Sequence, residues 1–213
     1  TSVTGLDVTA TYNVPASDVG TTLRFRLTTN DPDGFGPCSA EFDEIDIVVN
    51  ESAKVSAGPD AQVCEDQVIQ LAGSVSGAAA SVTWSGGSGA AQFSDVTDVN
   101  ATYTLTPADI TAGGVTLTLT TNDPDGSGPC GTVSDQVFIK IDKLPSVFLS
   151  GLEPVYAENS GIDYLDGFPL GGTFIGPGIV AGTNAFNPAN AGFGNITIRY
   201  TYTDPVTGCT NFT

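Results

Sequence analysis

The chain has 213 residues, 24 Asp plus Glu against 6 Lys plus Arg for a formal net charge of -18, and neither His nor Met. Such a surface repels phosphate backbones and argues against nucleic acid as a partner. The lack of His excludes imidazole catalysis, and no apolar run approaches the roughly 18 residues that a membrane span needs, so no membrane insertion is expected.

Three copies of one pattern follow one another along the chain. The first opens on Pro15-Ala16 and continues with the alternating trio Leu23, Phe25 and Leu27. It then turns at LTTNDPDG (residues 27–34), carries Cys38, and returns with Ile45, Ile47 and Val49. Alternation at period two predicts half-buried β-strands. A linker is expected around Asn50–Ala53. The middle copy is complete, with Cys64 and then strands expected at Val68–Ala72, Ser81–Ser85 and Ala101–Leu105. A single helical turn is expected at Pro107–Ile110, followed by the trio Val115, Leu117 and Leu119. LTTNDPDG recurs at 119–126, an offset of 92 that Cys38 and Cys130 share, and Val137, Ile139 and Ile141 form the return strand. After a second linker around Asp142–Pro145, the divergent third copy offers Pro188-Ala189, then Ile196, Ile198 and Tyr200, then Asp204-Pro205 and Cys209. In each copy the Pro of Pro-Ala lies 16 residues before the Asp of Asp-Pro.

These elements give the expected class: all-β, tandem immunoglobulin-like β-sandwich domains in a rod-like array. The expected boundaries are 1–52 for the C-terminal half of one domain, 53–143 for a complete domain, and 144–213 for a domain lacking its last strand. Trp84, on the expected third strand, is read as a core aromatic rather than a ligand-stacking platform. Starting without Met, the chain is expected to be an internal piece of something longer.

The middle copy, with SAGPDAQVCEDQVIQLAG, SVTWSGGSG and TLTLTTNDPDGSGPC, resembles the Ig-like and PKD-like repeats of very large surface proteins of the Bacteroidota. The third, with GGTFIGPGIVAGTNAFNPANAGFGNITIRYTYTDPVTGC, resembles a related repeat of the same proteins. The resemblance implies a stalk segment of a giant secreted adhesin of the gliding-motility type, exported by type IX secretion to the cell surface. It brings no ligand-binding residues with it.

Four Cys in a His-free chain of this kind favour disulfides over a metal site. In a sandwich, Cys64 closes an early strand while Cys130 follows a turn at the opposite pole. A strand of six residues spans about 20 Å, and a disulfide needs Cα atoms within about 7 Å. The favoured pairing is therefore Cys64–Cys209, between neighbouring domains; Cys64–Cys130 within the middle domain is the runner-up, and unpaired thiols are the remaining alternative. Under the first scheme Cys130 and Cys38 look to preceding domains for partners.

Candidate chemistry is sparse. Asn30, Asp31 and Asp33, and their copies Asn122, Asp123 and Asp125, are oxygen donors of the type calcium takes; the plainer reading is a turn built by Asp, Pro and Gly. The third copy has Val206 and Thr207 where a second carboxylate would be needed. Asp43, Glu44 and Asp46 read as a solvated strand face. No paired carboxylates assemble into a hydrolytic site, so no enzyme and no cofactor beyond that calcium is expected. The Asn-X-Ser/Thr triplets at Asn50, Asn100, Asn195 and Asn211 are read as coincidental in a bacterial protein. Expected partners are neighbouring repeats of the chain, with surface glycans or other cell-surface proteins as further candidates. The alternatives to a stalk are a carbohydrate- or surface-binding Ig-like module, an accessory region of a large secreted hydrolase, and a strand-donating extracellular filament.

Overall fold

The computed structural model describes residues 9–126, 128 and 130–213. Its regular structure is almost entirely strand. In the first copy β1 (Thr22–Thr28) and β2 (Phe42–Val48) form an antiparallel hairpin with Leu23 opposite Ile47 and Phe25 opposite Ile45. The intervening positions carry charge. Arg24 donates two hydrogen bonds to Asp46 at 2.7 and 2.8 Å, and Arg26 bonds Glu44 while its guanidinium lies 4.3 Å from the Phe42 ring centroid. Glu44 and Asp46 thus belong to a cross-strand charge ladder open to solvent, where screening by water and salt leaves each exposed pair contributing little to stability.

The middle copy is a two-layered sandwich. Its strands are β3 (Lys54–Ser56), β4 (Ala61–Cys64), β5 (Val68–Gln70), β6 (Ser74–Ser76), β7 (Val82–Gly86), β8 (Thr102–Thr104), β9 (Gly114–Thr121) and β10 (Ser134–Asp142). One layer has the order β4-β10-β9-β7, and the pairs β3-β6 and β5-β8 supply the other side. The alternation in β9 and β10 is what makes this possible. Val115, Leu117, Leu119, Val137, Ile139 and Ile141 all turn inward and are buried, while the Thr residues of β9 and the polar residues of β10 largely turn outward. They pack with Ile69, Tyr103 and Phe93 around Trp84, which is 1% exposed and donates its indole N–H to the Asp98 carbonyl at 2.9 Å. A short helix, α1 (Pro107–Ala112), leads into β9. It runs two residues beyond the single turn expected at 107–110. Pro107 sits where no N–H is needed, Thr106 and Asp109 form a capping box, and Gly113 ends the helix in the left-handed region at φ 73°.

The third copy is built from shorter pieces: β11 (Phe148–Ser150), β12 (Asp163–Tyr164), β13 (Asp166–Phe168), β14 (Thr173–Ile175), β15 (Ala185–Phe186), β16 (Arg199–Thr203) and β17 (Thr210–Phe212). Its own cluster holds Leu165, Phe186 and Ile198, with Tyr156 and Phe174 packed on it. Tyr200, 1% exposed, packs against Gly167 and Gly172, where a Cβ would collide with its ring. Two expectations change here. The strand expected from Ile196 begins only at Arg199. The last strand, expected to begin beyond Thr213, begins within the chain, since β17 pairs antiparallel with β16, Phe212 opposite Thr201 and Thr210 opposite Thr203.

Candidate functional site

The feature that joins distant parts of the chain is a disulfide. Cys64 and Cys209 are bonded, with Cα atoms 5.6 Å apart and 145 residues between them in sequence. Cys64 ends β4, which runs parallel to β10 and places Cys64 opposite Asp142, the last residue before the linker to the third copy. Cys209 follows the turn between β16 and β17 and is completely buried. The bond therefore ties a strand end of one buried cluster to a turn of the other. Cys130 is free and partly buried, and Cys38 is free and exposed. The runner-up bond, Cys64–Cys130, is thus not formed. Cys130 precedes Ser134 at one end of β10 and Cys64 lies beside Asp142 at the other, about 27 Å away along a nine-residue strand.

Polar contacts close around this bond on both sides of the linker. The Glu65 carboxylate accepts the Leu144 N–H at 3.1 Å, and the Asn211 amide donates to the Pro145 carbonyl at 2.9 Å. The Gln67 side chain accepts the Cys64 N–H at 3.2 Å. Lys140 lies 2.8 Å from Asp142, which also accepts from Gln62. The Lys140 bond holds the Asp142 carboxyl below the ordinary carboxylate range. Linker residues 144 and 145 are thereby fixed to both copies. The sequence reading missed Glu65, Asn211 and Gln62; the one local signal was adjacency, since Glu65 and Asn211 lie one and two residues from the bonded Cys.

The acidic turns have one geometry. Asp31 Oδ1 accepts the N–H groups of Asp33 and Gly34 at 3.2 and 3.0 Å; Asp123 Oδ1 accepts those of Asp125 and Gly126 at 3.2 and 3.0 Å. Asp33 then accepts from Gly36 and from the Cys38 N–H, and Asp125 accepts from Gly128 and from the Cys130 N–H. The bonds from the Cys N–H groups are the main reason both Asp33 and Asp125 are held below the usual carboxylate range. Cys130 is pushed the other way, by burial and then by the Asp125 charge. In the third copy Asp204 takes the N–H groups of Val206 and Thr207, and Thr207 Oγ1 accepts the Cys209 N–H at 3.3 Å. Asn122 clamps a neighbouring loop, its Oδ1 accepting from Ala80 and Ser81 at 2.9 Å; Asn30 is exposed. Among the described residues no three His, Cys, Asp or Glu side chains converge in a way that could hold a metal ion. No helix among them is long and apolar enough to cross a membrane.

Fold and junction together define an all-β chain of immunoglobulin-like sandwich repeats, two of them covalently joined. No protein-family model matches the chain. No curated protein matches it in sequence. Solved structures that resemble it include protocadherin gamma B7 extracellular cadherin domains 1–4, at 15% identity and TM-score 0.36, and mouse cadherin-23 EC22–24, at 14% and 0.37. Mouse protocadherin-24 EC1–3 matches at 11% and 0.38. The aligned regions cover 90, 94 and 90% of this chain, and 56, 74 and 77% of those chains respectively. At these values the likeness transfers neither residue roles nor activity.

Proposed function

We propose that this chain is a non-catalytic stalk segment of a large secreted cell-surface adhesin, holding an adhesive element away from the cell. The observation that carries the reading is the Cys64–Cys209 bond, which makes two consecutive repeats peel apart only by covalent rupture. A disulfide of this kind belongs to an oxidising, extracellular setting. The recurrent turn, the Thr-rich outer strand faces and the charge of -18 suit a long soluble array with little tendency to pair at its edges. The resemblance of the repeats to those of Bacteroidota adhesins extends the proposal to gliding or surface attachment with type IX export. Neighbouring repeats are the first partners, with glycans or surface proteins bound elsewhere in the array.

The size of the native polypeptide tests this. Surface-sheared material is run on a reducing gel and probed with an antibody to this segment. A band of several hundred kilodaltons is expected; a band near 21.7 kDa removes the stalk reading.

A further inference from the structure

The outer face of β11 and β13 carries aromatic rings that the fold does not need. Phe148 lies opposite Phe168 in that ladder, with ring centroids 6.5 Å apart and exposures of 64 and 60%. Ser150 and Asp166 form the next outward pair, and Tyr164, also exposed, precedes them. From 164 to 168 burial alternates, with Leu165 and Gly167 turned inward. The middle copy supplies a comparison within the same chain. Its β3–β6 ladder takes the same place, because Gly73 closes on Leu119 as Gly167 closes on Tyr200, and Leu119 and Tyr200 each lie four residues before the Asp of an Asp-Pro pair. Phe168 therefore matches Ser74, and Phe148 matches its partner Ser56. A sandwich accepts serine at both positions, so packing does not explain the exposed rings.

The rest of the chain shows what suits such rings. Two other exposed strand residues, Phe42 and Phe212, each take a guanidinium, that of Arg26 at 4.3 Å and that of Arg199 at 4.2 Å from the ring centroid. Arg24, Arg26, Lys54 and Lys140 are held in ion pairs, and Arg199, the one basic residue of 144–213, is held by Phe212. Among the described residues no cation lies over Phe148 or Phe168. Asp166 stands on the same face instead, in a chain of net charge -18. Rings 6.5 Å apart allow one cation to lie within the roughly 6 Å reach of both centroids. We propose that this face docks a basic segment of a partner protein, with an arginine lying across Phe148 and Phe168 and its charge met by Asp166. The same charge repels polyanions and a second copy of this chain. The inference stands apart from the stalk reading, since it concerns a partner of one repeat, and the ladder involved is separate from β14-β16-β17.

The test titrates the full chain with a fluorescent peptide of alternating arginine and threonine, four of each, at about 0.15 M salt to screen non-specific attraction. Binding is expected, and the same peptide with neutral citrulline for arginine is expected to lose it. Phe148→Ser with Phe168→Ser, the residues of the middle copy, is expected to weaken binding roughly fivefold or more. Asp166→Asn also weakens it, whereas Asp66→Asn, which removes the same charge from an exposed site elsewhere, does not. Should the double serine variant lose the Cys64–Cys209 bond or its far-UV spectrum, Phe168→Leu removes one ring while keeping an apolar side chain, and weaker binding is again expected. No binding up to about 1 mM peptide, equal binding by the ring variants, or equal loss in the two Asp variants overturns the proposal. Tighter binding of a glucosamine oligomer than of the peptide overturns its assignment to a protein segment.

Discussion

Removing the Cys64–Cys209 bond destabilises both of the copies it joins, by an amount that the topology sets. If the third copy unfolds while the middle one stays folded, the bond closes a loop of about 67 residues, because β4–β10 pairing keeps Cys64 beside Asp142. The chain-entropy relation then gives about 4.4 kcal/mol. If the middle copy unfolds alone, the loop between Cys64 and Asp142 is about 78 residues and the figure is about 4.5 kcal/mol. Unfolding of both together closes a loop set by the full 145-residue separation, for about 5 kcal/mol. Measured disulfides usually deliver less, about 2–5 kcal/mol. The expected loss for Cys64→Ser with Cys209→Ser is accordingly about 3 kcal/mol in each copy. The third copy, with three buried residues in its cluster against fourteen in the middle one, falls the further toward unfolding. Trp84, the single Trp of the chain and 1% exposed, makes its fluorescence a clean reporter of the middle copy. Far-UV circular dichroism follows the strands of all three copies, and of the change that Trp84 does not share only the third copy's part depends on the bond. Midpoints in urea that match the oxidised protein at both probes would refute the argument, because the bond would then constrain nothing in the unfolded chain.

Four further outcomes follow from the same structure. Asp109, 6% exposed, would be raised by burial, but bonds from the Thr106 N–H and hydroxyl, Ser88 and Tyr103 outweigh this and leave its carboxyl below the ordinary value. A carboxyl depressed in the folded state adds stability that is present above the unfolded pKa of about 3.9 and is lost as pH falls through the lower folded value. Asp109→Asn therefore costs about 1–3 kcal/mol at pH 7 and flattens the fall in stability below pH 4; an unchanged acid limb in urea titrations counts against this. Trp84→Ala leaves a large void among Phe93, Leu119 and Tyr103 and costs about 3–5 kcal/mol, read as the urea midpoint of the middle copy. Asp125→Ala frees the Cys130 N–H and removes one of the causes of its raised thiol pKa, so Cys130 reacts faster with iodoacetamide. Millimolar calcium is expected to leave the melting of the unsubstituted chain unchanged, and a calcium-dependent rise would show that the turn carboxylates can leave their N–H partners.

The repeat and the long strands were legible because their side chains answer to two environments at once. In β9 every second residue from Val115 to Leu119 must enter the core while the Thr residues between them face outward, and this writes period two into the sequence. The strands β3, β6, β12 and β15 are two or three residues long, too short for any period to show, and their pairing is imposed by the layer they lie against. The same limit hid the polar ring of the junction. Glu65 with Leu144 and Asn211 with Pro145 meet across 79 and 66 residues of sequence, and apart from lying next to a bonded Cys nothing local distinguishes these side chains from other surface polar groups.

The turn before each late Cys was legible in composition but not in purpose, and comparing the three copies supplies the purpose. In the first two, a carboxylate five residues ahead holds the Cys N–H; in the third, the Thr207 hydroxyl two residues ahead does so, in a turn shortened by two residues. A divalent-cation site would not tolerate the exchange of its second carboxylate for a neutral hydroxyl, because charge and ligand number set its affinity. An N–H acceptor tolerates it readily, since either oxygen serves. What survives the divergence is the fixing of the Cys backbone. In the third copy, where the Cys has its partner, that fixing aims the sulfur at Cys64 across the linker. The acidic turn is thus best understood as the mount for a cysteine, and its charge as the means by which two of the three copies build it.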